Sequence, residues 1–263
     1  MKKIWAFLMA AALFVVSAGT GMAHFGMVIP SSSNVMSNDE AEVGLTLKFW
    51  HPFENQGMNL VKPKVFNVYF DGEAQDLLPV LKEGKEQDKA MWEGAYKISR
   101  PGLYAFVMEP EAYWEPEEDC FIIHYTKVYV DAFGDDEGWS EPVGIKAEIV
   151  PLVRPGALYA GNSFQGVVML DGKAVPGAEV EVECYPGPGF AGQAPNQAMI
   201  TQAVKADKNG VFTYTAPKAG WWGFAALMEG DDKIKHEGEA KDVEIGAVLW
   251  VNFHEFNTPQ KVK

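Results

Sequence analysis

Short β-favouring runs, each closed by a turn residue, constrain this chain more than any other feature. Beyond residues 1–23, apolar residues seldom recur at helical spacing. Instead the sequence predicts strands over Val43–Phe49, Val65–Phe70, Gly94–Ile98, Leu103–Met108, Phe121–Asp131 and Lys146–Val150. A second set follows at Ser163–Leu170, Ala178–Cys184, Thr201–Lys205, Val211–Tyr214, Trp222–Met228 and Val243–Phe253. Asp71-Gly72, Pro101-Gly102, Asp171-Gly172 and Asn209-Gly210 punctuate them. Glycine supplies the positive φ that tight hairpins need, and proline cannot donate to a ladder. Many short strands with such turns predict an all-β chain of two β-sandwich, immunoglobulin-like domains.

The first residues read differently. Lys2 and Lys3 precede an apolar run, Ile4 to Val16, too short to span a bilayer. Gly21-Met22-Ala23 places small residues where a signal peptidase reads. Residues 1–23 are therefore expected to be a cleaved signal peptide, with cleavage after Ala18 as the competing site. Pro151-Leu152-Val153-Arg154-Pro155-Gly156 resists both helix and ladder. It divides the mature chain into an expected N-terminal domain, 24–155, and a C-terminal sandwich, 156–263, whose pattern from Phe164 to Phe224 resembles immunoglobulin-like or prealbumin-like modules.

The formal net charge is −14. So acidic a surface argues against nucleic acid or anionic lipid as partners and suits the attraction of cations. No second apolar run approaches the length of a membrane span. The mature chain is expected to be soluble and periplasmic. Its two cysteines, Cys120 and Cys184, form no CxxC, and spacing leaves their pairing open.

The histidines carry the chemistry. Cleavage after Ala23 would leave His24 first in the chain, with an α-amine and an imidazole on one residue. That amine has an unperturbed pKa of about 7.7–8.0, so a metal can displace its proton near neutral pH. His51 ends an expected strand just before Pro52, a position suited to a site. His124 lies in the apolar run Phe121-Ile122-Ile123-His124-Tyr125, where alternation places it on one face with Ile122 and Thr126. A histidine so placed needs a polar partner, either a carboxylate, a carbonyl or a metal. Acids at Glu115, Glu117, Glu118 and Asp119 stand close by in sequence as a ligand or acceptor. His236 and His254 sit in polar surroundings near the end of the chain and promise little. No HExxH, GxSxG or phosphate-binding loop appears, and nothing pairs Ser31–Ser33 with a base.

Several segments resemble a known family. They are His24-Phe25-Gly26-Met27-Val28-Ile29-Pro30-Ser31, His51-Pro52-Phe53-Glu54 with Met58, and Glu115-Pro116-Glu117-Glu118-Asp119. Phe121 to Lys127, Gly138-Trp139, Ala147 to Pro155 and Gly161 to Gly166 continue the likeness. It is a likeness to periplasmic accessory proteins of energy-coupling-factor-type nickel and cobalt uptake. That resemblance implies a soluble protein that binds Ni²⁺ or Co²⁺ and hands it to a membrane transporter.

The residues and the resemblance together give one expectation. His24, through amine and imidazole, with His51 and His124, binds a divalent transition metal. Ni²⁺ or Co²⁺ follows from the resemblance, while the ligand set alone equally suits Cu²⁺ or Zn²⁺. Glu54, Met58 or Glu118 adds a weaker contact. The competing enzyme reading is a copper oxidoreductase with a histidine brace. Trp50, Trp114, Trp221 and Trp222 would supply its aromatic face, or simply pack the core. A third reading is a metal-free binding or adhesion sandwich.

Overall fold

The computed structural model describes residues 24–135 and 137–256. The expected signal peptide, 1–23, lies outside the described residues. In chain order the strands are β1 (Phe25–Pro30), β2 (Asn34–Val35), β3 (Glu42–His51), β4 (Gln56–Met58), β5 (Val65–Phe70), β6 (Glu73–Asp76) and β7 (Lys82–Glu86). Next come β8 (Lys89–Lys97), β9 (Gly102–Glu109), β10 (Tyr113–Glu115), β11 (Cys120–Ala132), β12 (Ala147–Pro151) and β13 (Ser163–Leu170). The last are β14 (Lys173–Ala174), β15 (Glu179–Tyr185), β16 (Gln202–Lys205), β17 (Val211–Thr215), β18 (Gly220–Glu229), β19 (Ile234–His236) and β20 (Glu239–Phe253). The helical segments among the described residues are short 3₁₀ turns, so the all-β expectation holds there.

These strands build three layers. One outer sheet runs β1-β3-β8-β7, with β4 beside β3. The central sheet runs β16-β15-β18-β20-β11-β9-β5-β6. The other outer sheet runs β12-β13-β14, with β17 beside β13. Each outer sheet packs on one face of the central one, so the two expected sandwiches share a sheet. Alternation along the central strands feeds both cores. On β20, Val248 and Trp250 face the first core, while Ile245, Ala247, Leu249 and Val251 face the second. On β11, Ile122, Val128 and Val130 face the first core, and Phe121, Tyr125 and Tyr129 the second.

The seam is the parallel pairing of β11 with β20, from Cys120↔Asp242 to Val128↔Trp250. It joins chain from both sides of the loop at 155/156, where the sequence places a domain boundary. β12, from the N-terminal side of that loop, pairs with β13 from the C-terminal side. One charge pair is buried in the second core. Lys127 Nζ lies 2.6 Å from Glu148 Oε2, and both residues are buried. Glu148 also accepts the N–H groups of Val143 and Gly144 at 3.0 and 2.9 Å. Cys120 and Cys184 are both free thiols.

Candidate metal centre

Strand register brings the first two histidines together. β1 runs antiparallel to β3 with Phe25 opposite Trp50 and Gly26 opposite Phe49. Carried one residue further, that register sets His24 against His51. Their ring centroids lie 4.5 Å apart with the planes tilted by 49°. His51 ends β3 because Pro52 follows, and a turn carries the chain into β4. Within that turn, Glu183 Oε2 accepts the Phe53 N–H at 3.2 Å and anchors the loop. Phe49 stacks on the His24 ring at 5.4 Å, and Tyr113 stands 6.1 Å away. His24 is 12% exposed and His51 is buried.

Glu115 completes this group. Its Oε2 lies 3.1 Å from His24 Nε2, and its Oε1 accepts the N–H of Glu117 at 3.0 Å. A carboxylate only accepts, so the contact assigns the proton to Nε2 and leaves the lone pair of a neutral His24 ring on Nδ1. Nδ1 is the ring nitrogen nearer the main chain. A free α-amine on His24 would close a chelate ring with it.

His124 does not join them. Its Nδ1 accepts the Gly26 N–H at 3.3 Å, and the Phe49 ring stands 5.7 Å from it, edge-on. Its Nε2 is buried without a hydrogen-bond partner and lies 3.6 Å from Glu244 Oε1. The expected carboxylates divide: Glu115 serves His24, Glu118 acts on His124 electrostatically as expected, and Glu244 also faces His124. Glu244 carried no local sequence signal, because only the β11–β20 register brings it here. Among the described residues no three His, Cys, Asp or Glu side chains form a ready-made metal cluster.

The other candidates sit around this centre. Met58 packs on the first core opposite Phe49. Glu54 acts from the loop on Glu183, whose carboxyl is pushed up to about 7, first by burial. Glu118 is raised by burial and by the charges of Glu244, Glu115 and Glu117. Glu181 is pushed up to about 7 by burial, then by Glu244, Glu183, Glu179 and Glu118. The sheet face beneath the histidines is thus crowded with carboxylates. Trp50 and Trp222 are core residues, and Trp114 and Trp221 are half-buried. A cavity of about 120 Å³ behind Phe49 and Tyr113 is lined by Leu60, Ala112, Trp114, Ile122 and His124.

Two late histidines also find partners. His236 stacks on Trp114 at 3.9 Å. His254 Nε2 lies 3.3 Å from Ser33 Oγ and 3.0 Å from Asn34 Nδ2, so Ser33 does have a basic neighbour. Ser33 Oγ also accepts from Asn34 and Asn252, which directs its proton to the ring. Ser33 is 4% exposed, and this network ties the β2 region to the end of β20 rather than opening to a substrate.

Comparison with known proteins places the chain. No curated protein matches the sequence. Among solved structures it is similar to the D0-D1 domain of Intimin at 13% identity, covering 88% of this chain and 100% of that one, with a TM-score of 0.25. It is similar to domains A168-A170 of titin at 8% identity, covering 87% and 68%, with a TM-score of 0.22. Fibronectin(III)-like modules of Clostridium thermocellum CbhA give 9% identity, covering 90% and 100%, with a TM-score of 0.23. Likenesses at this level say nothing about the site. The family model described as a domain of unknown function, DUF4198, matches residues 21–230. That match takes in β1 to β18, the two facing histidines and Glu115, and the chain belongs to the DUF4198 family.

Proposed function

We propose that this chain is a periplasmic protein that binds a divalent transition metal, Ni²⁺ or Co²⁺, as cargo for a membrane uptake transporter. The ligands are the α-amine and Nδ1 of His24, freed by cleavage after Ala23, and the imidazole of His51. One observation carries the reading: Glu115 engages His24 Nε2, which puts the lone pair of a neutral ring on Nδ1, and the His51 ring centroid lies 4.5 Å from that of His24. A carboxylate behind a ligating imidazole fixes its tautomer and raises its basicity. His124 is left out of the first sphere, since Gly26 engages its Nδ1 and Phe49 stands between. Few protein ligands leave coordination positions open, which suits an ion that must be passed on. The choice of Ni²⁺ or Co²⁺ rests on the family resemblance described above.

The test is calorimetric titration of the chain beginning at His24 with Ni²⁺. Near one equivalent should bind, and H24A and H51A should each abolish it. Unchanged binding in both variants refutes the site. The tilted pair of rings also favours a second reading, a copper oxidoreductase with a histidine brace. Oxygen consumption by the Cu²⁺-loaded chain with ascorbate separates the two, because a cargo protein should show no turnover.

A further inference from the structure

We infer that His124 is a positioning residue. It clamps the β1 main chain so that His24 stays opposite His51, and it never touches the metal. This rests on the reading of His24 and His51 as ligands.

The argument starts from an edge. β1 is the outermost strand of its sheet, paired only with β3. Its outward N–H and C=O groups therefore need partners elsewhere. At Gly26 both are found on the central sheet. The N–H goes to His124 Nδ1 at 3.3 Å, and the C=O accepts Trp250 Nε1 at 2.8 Å. A single peptide segment, two residues from His24, is thus gripped on both of its polar groups.

Two glycines make the grip possible. A Cβ on Gly26 would fall 2.3 Å from Thr126 Oγ1 and 3.0 Å from His124 Cβ, so any side chain would lift β1 off β11. On the other side, a Cβ on Gly246 would fall 2.3 Å from His124 Cδ2. The imidazole occupies the space that the missing Gly246 side chain leaves. His124 is 1% exposed, and its Nε2 is buried, with under 1 Å² of accessible surface. It reaches the site by two routes, the Gly26 peptide and the Phe49 ring that also stacks on His24. Losing the Nδ1 acceptor strands a buried N–H and frays the start of β1, which draws His24 away from its partner.

Two amide variants separate positioning from ligation. Asparagine places an acceptor oxygen where Nδ1 stands, whereas glutamine places its amide nearer Nε2. In Ni²⁺ titrations of the chain beginning at His24, H124Q and G246A should weaken binding by about 10–100-fold. H124N should stay close to wild type. The nitrogen superhyperfine pattern of the Cu²⁺-loaded chain should be identical in all of them. The Gly26 amide resonance should move in H124Q and not in H124N, which reads the clamp directly in any variant that folds. A nitrogen lost from the H124N spectrum would make His124 a ligand and overturn the inference. Equal affinity across wild type, H124Q and G246A would overturn it as well. Binding that survives H24A and H51A would instead sink the underlying reading, a separate and recognisable result.

Discussion

The carboxylate of Glu115 is shared between His24 Nε2, at 3.1 Å, and the backbone N–H of Glu117, at 3.0 Å. Both oxygens are held, so the acceptor behind His24 is fixed in place. Replacing it by a neutral amide removes a charge-assisted contact and frees the ring to choose either tautomer. E115Q should therefore weaken Ni²⁺ binding by about 10–100-fold, read by calorimetry, with little change in unfolding temperature.

Glu181 has a buried carboxylate oxygen without a hydrogen-bond partner, and its carboxyl is pushed up to about 7 by burial and neighbouring acids. An ordinary glutamate titrates near 4.5. Between those values the folded chain holds a proton that the unfolded chain has shed. Stability is greatest below this window and falls as pH rises through it. Chemical denaturation at pH 5 and pH 8 should show this loss in wild type. E181Q should make it shallower, Glu183 keeping its own share, and should exceed wild type in stability at pH 8.

Lys127 and Glu148 form a buried pair at 2.6 Å, with the Val143 and Gly144 N–H groups also on the carboxylate. Burial lowers the Lys127 pKa, but Tyr129 and Glu148 outweigh it, so the net shift is upward. Removing one partner leaves an uncompensated charge in the core. E148A should lose about 3–5 kcal/mol in urea unfolding, and K127M/E148L should recover much of that loss.

Cys120 is held at a pKa of about 11, by burial and then by Glu244, Glu118, Glu115 and Asp242. Cys184 is buried and also raised. Thiolate is the reactive form, so both thiols should be sluggish. A thiol assay should find two thiols in denaturant, and almost none in the native chain at pH 8 within minutes.

Much of the fold was legible, because core strands carry alternation. Ser163–Leu170 and Val65–Phe70 match β13 and β5 at both ends. The strands that escaped are of another kind. β6 is exposed at every residue, and β7 is wholly hydrophilic, so neither shows an apolar period. β1 escaped because Gly26 and Pro30 interrupt it, yet its backbone demands that glycine. His51 at a strand end was readable from Pro52. The facing of His24 with His51 was not, since register across a loop leaves no mark in either segment. The reach of Glu244 to His124 was hidden for the same reason, at far greater chain separation.

The parallel seam also fixes an order of events in the life of the chain. Of the described strands β20 is the last in chain order, yet it lies in the middle of the central sheet. His124 packs against Gly246, and Gly26 is held by Trp250. The residues that hold Gly26 and His124 are thus made long after the strands they hold. Until they arrive, β11 has a bare edge and the Gly26 carbonyl lacks its Trp250 donor. A ribosome that stops short of β20 therefore releases a chain whose proposed metal site lacks the Trp250 side of the Gly26 clamp, although every proposed ligand has already been translated.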